Sequence, residues 1–219
     1  MGRVALATSL HEELWQQNQD LAEPCLRHPF VRGLADGSLP TEAFRRYVAQ
    51  DAFFLQAFAR AYAVAAGRSA NPETLNAFRE LLNAAIQELQ LHALYSQKLG
   101  IDLAVVRPYR ATRAYTDFLL ATAWHSGLGE TVAAMTPCMR LYSYLGSELA
   151  QEVAQTSRQS HPYREWINSY SGAEFQAAAG RLEQLLDSLA TDSPSIREAY
   201  RYTMQSELDF FSASLEAEP

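Results

Sequence analysis

Residues 39–67 read LPTEAFRRYVAQDAFFLQAFARAYAVAAG, and this stretch decides the fold class. Pro40 suits a helix start, because a proline's missing N–H is harmless only in the first turn. Behind it Tyr47, Asp51, Phe54, Leu55 and Phe58 recur at helical spacing. The run from Ala57 to Ala66 is apolar on more than one face, which fits a central helix or one buried in an oligomer interface.

Outward from this stretch the same punctuation repeats. Asn71-Pro72 caps and starts a second helix that stops at Gly100, behind Lys98. A third is expected from about Thr112 to Gly127, and a fourth from about Thr131 past Gly146. His161-Pro162 opens a short one ending near Gly172. The last pair spans roughly Ala173 to Ala190 and Ser195 to Leu215, and an amphipathic helix from about Leu6 to Leu21 leads the chain. No Asn-Gly or Asp-Gly hairpin lies between alternating runs, so strand signals are missing. Short loops and the lack of any linker predict an all-α fold: one domain over residues 1–219, built from seven or eight helices.

The 219 residues carry a net charge of −7. That balance argues against a nucleic-acid or anionic-membrane partner, which would need clustered Lys and Arg. No apolar run approaches a membrane span, and residues 1–10 lack the apolar centre of a secretory leader. Two cysteines, Cys25 and Cys138, make no disulfide framework, so a reduced cytoplasmic chain is expected.

Four groups could carry chemistry. Cys138 follows Pro137 in Thr136-Pro137-Cys138-Met139-Arg140-Leu141-Tyr142. If Thr136 caps and Pro137 is the first helical residue, the thiol sits at a helix N-terminus, where the positive end favours thiolate. The alternative is a small apolar cysteine in a packed kink. Tyr142, four residues on, shares its face. Asp51 lies among aromatic residues at helical spacing; it is either a buried aspartate satisfied by backbone or by an arginine such as Arg60, or an acceptor for a polar ligand in an aromatic pocket. Glu207 shares a face with Met204, Phe210 and Phe211, surroundings that raise a carboxyl toward the acid–base range unless the group is simply solvated. Glu88 and His92 stand four apart, one residue longer than the Glu-x-x-His spacing of di-iron helices, and no second such pair occurs. His125 and His161 fall at loop or capping positions with no zinc-like spacing. There is no Gly-rich phosphate loop and no Gly-x-Ser-x-Gly elbow.

Taken in order, a longer series of segments is distinctive. His28-Pro29-Phe30-Val31 with Gly33 and Gly37-Ser38-Leu39-Pro40 precedes Phe44, Tyr47-Val48 and Gln50-Asp51. Glu88 and His92, Ala114-Tyr115-Thr116, Pro137-Cys138 to Tyr142, Tyr163, Trp166-Ile167 to Tyr170 and Glu207 follow. Over nearly the whole chain this series resembles the TenA (thiaminase II) family, aminopyrimidine hydrolases of thiamin salvage with a haem-oxygenase-like helical fold.

The resemblance implies that Cys138 is a nucleophile and Glu207 a proton donor and acceptor at a ring nitrogen. It implies that Asp51 bonds the aminopyrimidine edge, that Tyr115, Tyr142 and Tyr170 line the pocket, and that Phe210 stacks on the ring. Phe54 stands where many family members carry a tyrosine, so a hydroxyl is missing there. Cys138 places the chain with the cysteine-bearing branch. The implied substrate is 4-amino-5-aminomethyl-2-methylpyrimidine, converted to the 5-hydroxymethyl compound, with thiamin as a further candidate. The implied chemistry needs no cofactor and no metal, and the implied assembly is a homotetramer. Two alternatives stand beside it: a non-haem di-iron oxidase on the same fold, supported only by Glu88/His92, and a non-catalytic pyrimidine-binding or regulatory protein.

Overall fold

The protein is described by a computed structural model over residues 8–155 and 160–216. Among the described residues there is no strand, and ten helices follow one another: α1 (Leu10–Gln17), α2 (Gln19–Arg27), α3 (Pro29–Asp36), α4 (Thr41–Arg68), α5 (Pro72–Lys98), α6 (Arg110–His125), α7 (Leu128–Gln155), α8 (Arg164–Ser171), α9 (Ala173–Leu189) and α10 (Pro194–Glu216).

The all-α expectation holds, but the count exceeds seven or eight for two local reasons. The leading helix expected over Leu6 to Leu21 breaks at Asn18, whose buried amide donates to the Leu14 carbonyl at 2.8 Å and so ends α1; Leu6 itself lies outside the described residues. The segment after His28 forms α3, an extra helix that Pro29 starts at its first turn. His28 caps it, with Nδ1 accepting from the Phe30 amide at 3.2 Å. The expected cap at Asn71 is present, its side chain accepting from the Thr74 amide at 2.8 Å.

Of the two readings of Thr136-Pro137, a helix start or a proline within a helix, the structure shows the second. Both residues lie inside α7, and the Thr136 hydroxyl donates back to the Val132 carbonyl at 2.8 Å instead of capping a new helix. Pro137 has no N–H for the Ala133 carbonyl four residues earlier, yet α7 continues because its neighbours bury almost every residue around that point. Cys138 is therefore mid-helix.

Three long helices make the centre. α4 packs against α5, α6, α7 and α10, and α7 packs against α6, α8, α9 and α10. One apolar cluster runs through all of them, with Phe30, Tyr47, Tyr115, Leu141 and Phe211 among its fully buried members. Burying a side chain of this kind stabilises the fold by roughly 1.5–3 kcal/mol, so the cluster dominates the energetics.

Two contacts set the site in place. Gln50, next to Asp51, bridges to the start of α6: its Oε1 accepts from the Tyr109 amide and the Thr112 hydroxyl, both at 2.8 Å. This fixes where Tyr115 faces. Gly146 lets α8 approach α7 closely, for a Cβ there would sit 2.6 Å from the Tyr170 carbonyl carbon. Among the described residues no helix is long and apolar enough to cross a membrane.

Candidate active site

Asp51 from α4, Tyr115 from α6, Cys138 and Tyr142 from α7, Tyr170 from α8, and Glu207 and Phe210 from α10 line one cavity. Phe54 lines it too, its ring 4.8 Å from that of Tyr115 and 6.4 Å from that of Phe210. All eight residues that the sequence singled out therefore meet, although Asp51 and Glu207 are far apart in the chain.

Tyr115 donates its hydroxyl to Glu207 Oε1 at 2.7 Å, and the Cys138 thiol also bonds the Glu207 carboxyl. Glu207 is 2% exposed. Burial pushes its carboxyl up to about 8; the Tyr115 and Cys138 bonds pull the other way, and the charge of Asp51 adds to the rise. Burial alone takes Asp51 up to about 7. Each group can thus give or take a proton near neutrality.

The thiol matches the packed-cysteine reading of the sequence and not the helix-N-terminus one. With no helix N-terminus at Cys138, nothing in the backbone favours the thiolate. Burial first, then the charges of Glu207, Asp51 and Glu88, hold the thiol well above the ordinary cysteine range. In the resting site Cys138 is a neutral thiol beside a carboxyl able to receive its proton.

His92, not Arg60, is the partner of Asp51. Its Nε2 lies 2.6 Å from the Val48 carbonyl oxygen, so that nitrogen carries the proton and donates; its Nδ1 then faces Asp51 Oδ2 at 3.6 Å. Burial lowers the His92 pKa, opposed by the bond to Val48 and the charge of Glu88. Nε2 is thus committed to Val48. No group of three or more metal-ligating side chains occurs among the described residues. His161 likewise bonds the Ala35 carbonyl, with Nε2 at 3.0 Å, and His125 ends α6.

Tyr47 was legible only as a core aromatic. Its hydroxyl donates to that of Tyr142 at 3.3 Å and accepts from Trp166 Nε1 at 3.3 Å, tying together three of the lining helices, α4, α7 and α8. Tyr142 and Tyr170 meet edge to face at 4.8 Å. Sequence reasoning gave Glu88 no place in the lining, although it stood in the family-like series and in a suggested metal pair, and it missed Phe175 at the start of α9. A carboxylate one turn from a histidine was the available signal for the first; nothing marked the second.

A thiol, acidic groups and aromatic faces converging within a helical bundle define a small-molecule site. The chain belongs to the TENA/THI-4/PQQC family, whose family model matches residues 15–217. It is 33% identical over 196 residues to the "Aminopyrimidine aminohydrolase" of Halalkalibacterium halodurans, covering 87% of this chain and 86% of that protein. It is 36% identical over 217 residues to the "Bifunctional TH2 protein, mitochondrial" of Arabidopsis thaliana, covering 87% of this chain but only 35% of that longer protein. Among solved structures, the "TenA homologue protein" of P. horikoshii OT3 superposes with a TM-score of 0.86 at 26% identity, covering 95% of this chain and 99% of that one. Haem oxygenase-1 from Synechocystis sp. PCC6803 superposes at 0.66 with 16% identity, covering 96% and 93%, and shows the fold alone: it is haem-oxygenase-like.

Proposed function

We propose that this chain hydrolyses aminopyrimidines, converting 4-amino-5-aminomethyl-2-methylpyrimidine to its 5-hydroxymethyl counterpart, with thiamin as a second substrate. The observation that carries the reading is the meeting of Cys138, Asp51 and Glu207 in one aromatic cavity. An enzyme of thiaminase II type agrees with the curated relatives.

Asp51 bonds the amino-nitrogen edge of the ring, and Phe210, Phe54 and Tyr115 supply faces and edges for a flat heterocycle. Glu207 gives a proton to the ring nitrogen and takes the one that the Cys138 thiol loses, and the sulfur pair forms a bond to the ring carbon beside the substituted carbon. The resulting electron-rich ring expels the amine, or the thiazole of thiamin, leaving an exocyclic methylene. Water adds to that methylene and gives its proton to the expelled amine or to solvent. The sulfur then leaves with the bonding pair and takes a proton from Glu207 while the ring nitrogen returns its own to Glu207, which restores aromaticity. Splitting a displacement at carbon into addition and elimination is the usual advantage of a covalent nucleophile. A buried thiol that is neutral until the ring arrives avoids maintaining an unpaired thiolate beside three acids.

The chain acts on this reading as one domain in the cytoplasm, as a homotetramer. The test is direct: incubate the purified protein with the aminomethylpyrimidine and follow the hydroxymethyl product and ammonia. Turnover that survives Cys138→Ala, or that is indifferent to thiol alkylation, would sink the proposal.

A further inference from the structure

Of the described residues that line the cavity, eleven are buried; the two that reach solvent in part are Glu88 on α5 and Phe175 on α9. These two mark the mouth. Asp51, Cys138 and Glu207 are among the buried ones, at 6%, 9% and 2% exposed. Among the described residues no lysine or arginine lines the cavity, so the only nearby side chain able to become a cation for its three carboxyls is His92. The proposed reaction occupies Asp51 and Glu207 with the ring and leaves Glu88 without a task.

A group expelled from the ring must depart through the mouth, so the ring's leaving substituent points toward Glu88 and Phe175. In both candidate substrates that substituent is a cation: a primary amine is an ammonium at neutral pH, and the thiazole of thiamin is a thiazolium. We propose that Glu88 is the leaving-group subsite, its carboxylate pairing with a cationic ammonium or thiazolium at the cavity mouth; this rests on the hydrolase reading above. Phe175, whose ring meets that of Tyr170 edge to face at 4.9 Å, provides an aromatic flank for the same cation. Burial, then the neighbouring Asp51 charge, lifts Glu88 to about 7, with His92 opposing, so an arriving cation finds a carboxyl that ionises readily to receive it.

The pairing is a ground-state one. As the carbon–nitrogen bond breaks, the positive charge passes from the leaving group to the ring, so the ion pair weakens along the reaction. Glu88 therefore acts on KM and on the choice of substrate more than on kcat.

The experiment uses Cys138→Ala protein, in which both pyrimidines are chemically inert, with and without Glu88→Gln. Calorimetry at pH 7 measures the Kd of the aminomethyl and hydroxymethyl pyrimidines. Glu88→Gln should weaken the charged ligand tenfold or more and leave the neutral one within about twofold, the spread a single charge-assisted contact gives. Retained binding of the neutral ligand also reports a folded site. Equal weakening of both ligands, or no change in either, overturns the leaving-group role while sparing the hydrolase. If Cys138→Ala with Glu88 intact binds neither pyrimidine, the hydrolase reading falls and this inference with it.

Discussion

The Tyr115 hydroxyl donates to Glu207 Oε1 across 2.7 Å, linking α6 to α10 inside the cavity and holding the carboxyl lower than its burial alone would. Removing that donor leaves an ionised Glu207 less supported. Tyr115→Phe is expected to move the Glu207 limb of the kcat/KM profile to higher pH and to lower activity about tenfold, the worth of one hydrogen bond to a charged group. The pH–rate profile checks this, and an unmoved limb would separate Tyr115 from the proton transfer.

Cys138→Ala should reduce turnover on the order of 10³-fold or more with little effect on melting, since a thiol contributes small volume to the core. The wild-type thiol, raised by burial and three nearby acids, should alkylate slowly at pH 7 and faster as pH rises. Mass spectrometry of the alkylated peptide follows both. Rapid labelling at pH 6 would contradict the neutral resting thiol.

Stability should fall as pH rises from about 5 to 8. The Asp51 and Glu207 carboxyls are raised on folding, to about 7 and about 8, so the folded chain binds protons that the unfolded chain has already released. Their contribution is intact below the ordinary carboxylate range and is lost as pH passes the folded values. Asp51→Asn and Glu207→Gln should each flatten this dependence, stabilising the protein at pH 8 by on the order of 2 kcal/mol relative to pH 5. Thermal melts across pH measure it; a steeper profile in either variant would refute the assignment.

Gly146→Ala places a methyl 2.6 Å from the Tyr170 backbone, where no flexible side chain can give way. The variant is expected to lose about 1–3 kcal/mol and to displace Tyr170 from the cavity, raising KM. Unchanged melting together with unchanged KM would mean that α7 and α8 separate freely.

Much of the frame was legible in local pattern. Pro72 behind Asn71, Gly100 behind Lys98 and the short helix after His161-Pro162 are decided by neighbours a few residues apart, and each lies where the pattern put it. Thr136-Pro137 left two readings open because the same dipeptide can begin a helix or sit within one. Burial from α4, α9 and α10 made continuity of α7 the better solution, which no window of the sequence contains.

The chain's own residues determined that it is helical throughout, and the order of its motifs singled out Asp51, Tyr115, Cys138, Tyr142, Tyr170, Glu207 and Phe210. Periodicity and capping act over one or two turns, so they can be read from spacing. The partner of Asp51, the hydrogen bond between Tyr115 and Glu207, the protonation of Cys138 and the place of Glu88 at the mouth were decided only by tertiary structure. Those depend on which groups share a low-dielectric space after distant helices meet, and the energy of a charge in such a space is set by neighbours distant in the chain, as Tyr115 is from Glu207.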